Sequence, residues 1–422
     1  MAKKENGTLR RFTGFSRDAK LMVGAGLINF LGFGLLGFAL VLYLKELGYS
    51  SVVYGTLSLI MEVSNVVTLL ASGVLADKLG RKKMLILSAF LGTIGYGLFA
   101  FFNNMTAFTL AVILLGASSG FWGPAFNALM TVKTRPRRRK YLFSLNSMMG
   151  HTGSGFIMLI GGFIPLFFME NFNFQVVPAY QMIFVMAFLL KIASIIIIWR
   201  IKRDKAIKTK LDSNGVPEKK PWKLLLKFSL PSAFTGIGAG MLVPYFPLYF
   251  DLRFGLDIDE IGIYFALLSF VMALMTIYLP RLAERGGTIM TTTSFHFMAI
   301  IAMISIPFAP WLALVVFLFV FRAALMNVPG PIMTSFMMSK IKAHARATAN
   351  SSTQFAWMVT HAIGVFIGGF LWDTGDLVFP FYISTSLYIV SALLYFGFFV
   401  GMDDGEKGPG IAWPWFRHIF RR

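Results

Sequence analysis

The sequence predicts an all-α integral membrane protein, with twelve transmembrane helices arranged as two pseudo-symmetric six-helix halves. Three observations predict it. The 422 residues are 56% hydrophobic with a mean hydropathy of +0.70, more apolar surface than a soluble fold can hide from water. Apolar runs of about 20 residues, the length that crosses a bilayer core, recur along the whole chain. The second half repeats the first at a fixed offset of 207 positions.

On the bilayer ruler the helices fall near 19–44, 51–75, 84–102, 107–131, 141–168, 179–200, 223–250, 258–281, 288–307, 311–338, 348–371 and 378–401. Connections are short except 201–222, a lysine-rich stretch with a Ser213-Asn214-Gly215-Val216-Pro217 turn. It divides the chain into an N-terminal half (1–200) and a C-terminal half (223–402), followed by a tail at 403–422. Trp413, Trp415, Phe416 and the closing basic residues give that tail the composition of an interfacial anchor. The first twenty residues are basic and polar without an apolar core, so no cleaved signal is expected and the first helix serves as the insertion signal.

Orientation follows from the lysines and arginines. With the N-terminus inside, the tails and every even-numbered loop hold 35 of the 39 basic residues. The opposite side carries only Lys45 and Arg253 beside eight acids, and Lys191 and Arg322 fall inside helices. Both termini are therefore expected in the cytoplasm of a cell whose plasma membrane holds the protein. A net charge of +20 would suggest nucleic acid in a soluble protein, but its confinement to loops argues against such a partner. The absence of cysteine excludes disulfides and thiolate metal sites, and no metal or cofactor is expected. No catalytic constellation and no Walker loop is present, so neither an enzyme nor an ATP-driven pump is expected. Asn104-Met105-Thr106 fits an outer-side glycosylation pattern, a three-residue match frequent by chance.

The repeat places 19 identities in the 116 positions of 48–163, against roughly nine expected from so biased a composition. They fall on glycines, prolines and helix-end charges: Gly48 with Gly255, Gly55 with Gly262, Gly123-Pro124 with Gly330-Pro331, and Ile160-Gly161-Gly162-Phe163 with Ile367-Gly368-Gly369-Phe370. Two parallel halves around a midplane cavity is a transporter plan.

Between the second and third apolar runs lies Gly73-x-Leu75-x-Asp77-x-x-Gly80-Arg81-Lys82, with a weaker copy at Pro280-Arg281-Leu282-Ala283-Glu284-Arg285-Gly286-Gly287. The glycines let helix ends approach closely. Asp77 can meet the positive end of a neighbouring helix, and Arg81 and Lys82 can pair with acids or headgroups. An ordinary positive-inside loop would explain the cations but neither the Asp nor the glycine spacing. This loop closely resembles the signature between helices 2 and 3 of the major facilitator superfamily, and the twelve helices, the 6+6 repeat and the basic central loop extend the resemblance over the chain. It implies the major facilitator fold. It also implies a latch that holds the halves in the outward-open state, formed by Gly73, Asp77, Gly80, Arg81, Lys82, Glu284 and Arg285. In that latch Asp77 would cap the helix starting near Thr348, and Glu284 the one near Tyr141. The family's acidic partner for the arginine is replaced by Leu129-Met130-Thr131-Val132. Resemblance to the proton-coupled drug-exporter branch is partial: Leu114-Leu115-Gly116 stands where that branch carries a helix-4 arginine. Gly153-Ser154-Gly155 and Gly161-Gly162 supply its helix-5 glycines without the proline.

An ionisable group at midplane is costly and a functional candidate. Glu62 lies about 16 Å from Gly73 along helix 2, on the stripe Ser51, Gly55, Ser58, Glu62, Asn65, Leu69, Ser72. It is the proton-coupling candidate; a structural hydrogen bond or ion pair is the plainer reading. Arg322 cannot shed its charge and needs an anion, carbonyls or water, with Glu62 as one conceivable partner. Ser147 and His151 on helix 5 and Gln354 and His361 on helix 11 form matched polar stripes. Asn29, Asn65, Asn127 and Asn327 add polar cavity candidates, and Trp122, Tyr245, Tyr249 and Trp357 an aromatic wall for an apolar cargo. Lys191 reads as snorkelling or paired, and His296 is given no role. Glycine- and proline-rich runs in helices 1 and 7 permit bending, or simply close packing.

These features predict a monomeric secondary transporter that moves a small molecule across the lipid bilayer by alternating access, with protons as coupling partner and export of an amphiphilic or hydrophobic compound as the leading direction. Uptake or exchange of an anionic metabolite through Arg322 is the alternative. A transport-dead sensor is a third reading, against which the intact latch stands.

Overall fold

The computed structural model describes residues 15–135, 138–202, 222–286, 288–327, 330–341 and 346–399. The helices are α1 (Arg17–Glu46), α2 (Ser51–Leu79), α3 (Arg81–Phe101), α4 (Met105–Val132), α5 (Arg139–Phe172), α6 (Val176–Trp199), α7a (Trp222–Leu242), α7b (Phe246–Phe254), α8 (Ile258–Gly286), α9 (Thr288–Ser305), α10a (Leu312–Asn327), α10b (Gly330–Lys340), α11 (Arg346–Asp373) and α12 (Phe379–Phe399). Among the described residues eleven spans are long and apolar enough to cross a membrane, and Leu312–Asn327 is a shorter apolar helix. The expected helix over 311–338 is described over Leu312–Asn327 and Gly330–Lys340, and 328–329 lie outside the described residues. The linker 203–221 and the tail with its Trp413 anchor also lie outside them.

Local chemistry sets several boundaries. Asn104 Oδ1 accepts from the Ala107 backbone N–H at 2.9 Å, so this asparagine caps α4. Gly80 alone joins α2 to α3 with φ +87°, a left-handed value that side chains disfavour. Of the two bendable helices, α1 runs unbroken through its glycines. Helix 7 breaks at the 3₁₀ turn Val243–Tyr245, where Pro244 has no N–H to give and Pro247 opens α7b.

The chain packs as two compact units. The first comprises Met1–Glu218, Ala239–Ala273 and His361–Pro380; the second comprises Lys219–Gly238, Leu274–Thr360 and Phe381–Arg422. In the first, α2 packs on α4, α3 on α4 and α6, and α1 on α5 and α6. The α2–α4 approach is so close that a Cβ on Gly116 would overlap Met61 O, and one on Gly120 the Thr68 hydroxyl. Gly116-x-x-x-Gly120 is the small-residue spacing that lets membrane helices touch. Across α3–α4, Ser88 Oγ donates to Ser118 O at 2.7 Å and Ser118 Oγ to Ser88 O at 2.8 Å, so neither hydroxyl goes unpaired in an apolar core. The second unit holds its own core, where Phe228 of α7a stacks on Phe399 of α12 at 4.3 Å beside Phe336 and Met337 of α10b.

Within the first unit, the face bearing loops 47–50, 173–175 and 255–257 is closed by two helix crossings of one design. Gly55 of α2 lies where a Cβ would meet Val365 O of α11 at 2.9 Å, and Gly369 of α11 where it would meet Ser51 O at 2.8 Å and Val52 Cα at 3.0 Å. On the other side Gly262 of α8 faces Met158 O of α5 at 2.8 Å, and Gly162 of α5 faces Ile258 O and Asp259 Cα at 2.9 Å. Glycines and the backbone atoms they meet correspond between the two crossings at the repeat offset of 207. Lys45 of α1 pairs with Asp251 of α7b at 2.7 Å, and Asp373 accepts from the Ser51 N–H at 3.2 Å. Such exposed polar contacts add little; the backbone-to-backbone fit does most of the closing.

Candidate functional site

A cavity of about 100 Å³ opens inside the six-helix bundle of the first unit, between α1, α2, α3, α4 and α6. Its polar wall comprises Asn29, Glu62, Asn65, Ser118, Ser119 and Lys191, its apolar wall Phe33, Leu36, Met61 and Leu115. The Gly116–Gly120 crossing fixes the position of the α2 turn that carries Glu62 and Asn65. Asn65 Nδ2 donates to Glu62 Oε2 at 3.2 Å. Lys191 of α6 is 5% exposed. Its ammonium donates to Asn29 Oδ1 at 2.7 Å and lies 6.0 Å and 5.8 Å from the ring centres of Tyr96 and Trp122, a weak additional attraction. The Tyr96 hydroxyl is committed elsewhere, donating to Gly32 O at 2.8 Å.

Sequence reasoning placed Glu62, Asn29 and Asn65 as candidates, and the structure brings all three to one cavity. It set Lys191 aside, yet this lysine is the cavity's cation. Helix 6 is apolar all round, with the highest mean hydropathy among the spans, so its periodicity assigns no inward face. The available signal was glycine on the neighbouring helices. The lysine stem passes Gly92, whose Cβ would come to 3.2 Å of Lys191 Cε, and Gly32, at 3.6 Å.

The other candidates do not line this cavity. Trp122 stacks on Phe126 at 5.1 Å. His151 meets the Phe30 ring at 6.3 Å, and Ser147 lies one turn before it on α5. Tyr245 and Tyr249 were expected in a cargo-facing wall; both are wholly buried in the closed crossings. The Tyr245 hydroxyl donates to Val365 O at 2.6 Å, and Tyr249 accepts from the Arg253 guanidinium. Tyr245 is packed there because Gly55 and Gly368 leave room for its ring and hydroxyl. In the second unit, Arg322 Nη2 donates to the Tyr388 hydroxyl at 2.9 Å, and Asn327 Nδ2 donates to Ala323 O within its own helix. Asn127, Gln354 and Trp357 are exposed, and His361 is half-buried on α11.

At the opposite face of the bundle, Lys82 meets backbone carbonyls. Its ammonium donates to Trp199 O at 2.7 Å and Ile201 O at 2.6 Å, capping the open carbonyls of α6. Lys133 pairs with Asp18 at 2.8 Å and reaches Lys202 O at 2.9 Å. Arg81 is engaged as well. The side chains of Asp77, Glu284 and Arg285, and the surroundings of Gly73, lie outside what the structure describes.

The comparisons agree with this architecture. A family model described as Major Facilitator Superfamily matches residues 22–365. Multidrug resistance protein 2 of Bacillus subtilis (strain 168) is 29% identical over 148 residues, 33% of this chain and 37% of that protein. Quinolone resistance protein NorA of Staphylococcus aureus (strain MRSA252) is 31% identical over 137 residues, 32% of this chain and 35% of that protein. The alignments thus span little more than a third of the length of these curated relatives. A bacterial homologue of the human lysosomal transporter Spinster, solved in an inward-facing, unoccupied conformation, shares the fold with a TM-score of 0.73 at 16% identity, over 90% of this chain and 95% of that one. With the family model matched from the first helix into the eleventh, and the helices, the repeat and the fold in agreement, the chain is a multi-pass membrane protein that belongs to the Major Facilitator Superfamily.

Proposed function

We propose that this transporter couples export of a small amphiphilic or hydrophobic compound to the inward flow of protons, by alternating access between the halves 1–200 and 223–402. Both termini are on the cytoplasmic side of the plasma membrane, and the face closed by the two glycine crossings is the outer one. The segment from Gly73 to Lys83, the end of α2 and the start of α3, serves as the latch of the alternate state. The observation that carries this reading is Glu62, a carboxyl held in a small polar cavity within the bundle, with Asn65 as its recorded side-chain partner. A carboxyl so placed changes its proton affinity when the cavity is opened to either side. The similarity to two drug-resistance proteins supports export of a compound foreign to the cell. Arg322, engaged with Tyr388, supports a structural role for that cation over cargo binding.

The test is uptake of a cationic dye into inside-out proteoliposomes under an imposed pH gradient, acidic inside. Wild type accumulates the dye only with the gradient present, and Glu62→Gln binds it but loses gradient-driven accumulation. Accumulation by Glu62→Gln equal to wild type would remove Glu62 from the coupling role.

A further inference from the structure

Lys191 is unused by the proposed mechanism, yet it is built into the bundle. Its stem is threaded between two glycines, Gly92 and Gly32, and its ammonium ends at the cavity that also contains Glu62. An ammonium has three N–H donors. One goes to Asn29 Oδ1, and the rings of Tyr96 and Trp122 take none as hydrogen-bond acceptors of ordinary strength. Among the described residues no carboxylate lies within ion-pair distance of it. Glu62 is in the same position with the opposite sign, since one of its oxygens accepts from Asn65 and the other acceptor sites are uncommitted among the described residues. A buried cation and a half-buried acid that line one cavity without pairing present donors on one wall and acceptors on another. The cavity, about 100 Å³, is well above the about 10–15 Å³ that a single water needs. That accommodates a small charged head and leaves the body of a cargo outside.

We propose that the cavity between Lys191 and Glu62 is the head-group subsite for a zwitterionic cargo, binding its carboxylate at Lys191 and its ammonium at Glu62. This deepens the exporter reading and rests on it. Cargo of this class presents both charges on a head the size of an α-amino acid, with an apolar body. Asn29 holds the Lys191 ammonium in place between visits, and the glycine slot keeps the stem extended.

The probes are phenylalanine, phenylalaninamide and N-acetylphenylalanine, which present both charges, the cation alone and the anion alone on one body. Apparent Kd values are read by ligand-dependent thermal shift of the purified full-length protein. Wild type is expected to prefer phenylalanine over each single-charge analogue by about tenfold or more, the worth of one charge-assisted hydrogen bond. Lys191→Met removes the preference for the acid over the amide, and Glu62→Gln the preference over the N-acetyl compound. Asn29→Asp sets a carboxylate against the ammonium and abolishes the same preference as Lys191→Met while keeping the buried cation paired. It decides the matter should Lys191→Met fail to fold. Wild type with no preference, or with no binding of any probe, overturns the inference, as does preference retained in both Lys191→Met and Asn29→Asp; the cavity then holds water only. None of these results touches the dye experiment, so the exporter reading stands or falls separately.

Discussion

Adding one methyl group at a glycine crossing should open the closed face. A Cβ on Gly369 would lie 2.8 Å from Ser51 O and 3.0 Å from Val52 Cα, where ordinary contact begins at 3.4 Å. Both obstacles are backbone, so no side chain can swing away, and α2 and α11 must separate. Overpacking of this kind costs about 1–3 kcal/mol. On the alternating-access reading proposed above, opening parts these helices, so the whole cost bears on the closed-to-open ratio, which falls about 5- to 150-fold. Gly162→Ala should act alike at α5–α8, where the obstacles are Ile258 O and Asp259 Cα at 2.9 Å. Gly37→Ala is the control, with nothing within 4 Å of its Cβ position. The chain has no cysteine, so spin labels on Ser50→Cys and Leu252→Cys, both exposed on that face, report its opening without background. Each crossing variant should add a longer-distance population absent from wild type and from Gly37→Ala. Identical distance distributions in all four proteins would refute closure by backbone contact.

Lys82→Met removes two hydrogen bonds to the end of α6 and should lower Tm, the loss being about 1–3 kcal/mol for donors to otherwise open carbonyls. Tyr388→Phe leaves buried Arg322 without its hydroxyl partner and should destabilise by about 1–3 kcal/mol in a denaturation titration. Asp376 lies in the loop before α12, and backbone N–H groups of Phe379 and Val378 hold its carboxyl below the usual 3.8. A depressed folded value stabilises above the unfolded pKa, and the contribution is lost as pH falls through the folded one. Wild type should therefore exceed Asp376→Asn in Tm at neutral pH, with the difference vanishing well below pH 3.8.

Much of this molecule was legible in its sequence because the bilayer simplifies the code. Span length and loop charge required no knowledge of packing, and eleven helices plus a shorter one lie where the apolar runs predicted. The repeat was legible too, and its conserved glycines Gly55, Gly262, Gly162 and Gly369 are the residues of the two crossings. What they touch was not legible, because contacts between residues about 100 positions apart at one crossing and more than 300 at the other leave no local trace. Glu62 announced itself as a lone acid on a polar stripe. Lys191 did not, because a helix apolar on every side gives no clue to which face turns inward. The aromatic residues were ambiguous for a related reason: Tyr245 and Tyr249 suit a ligand wall and a packed gate equally well, and the room that Gly55 and Gly368 leave for Tyr245 is not legible in its own helix. Lys82 was expected to meet an acid or a headgroup; its contacts to the open carbonyls of a helix end were not legible, because they join residues 117 and 119 positions apart.

The central claim is that a proton crosses on Glu62 as cargo crosses the other way. It is tested most directly by recording luminal pH in proteoliposomes, with no imposed gradient, when cationic dye is added to one side. Wild type should move protons against the dye flux, and Glu62→Gln should move dye down its gradient without any pH change. A pH change in Glu62→Gln equal to that of wild type would contradict the account.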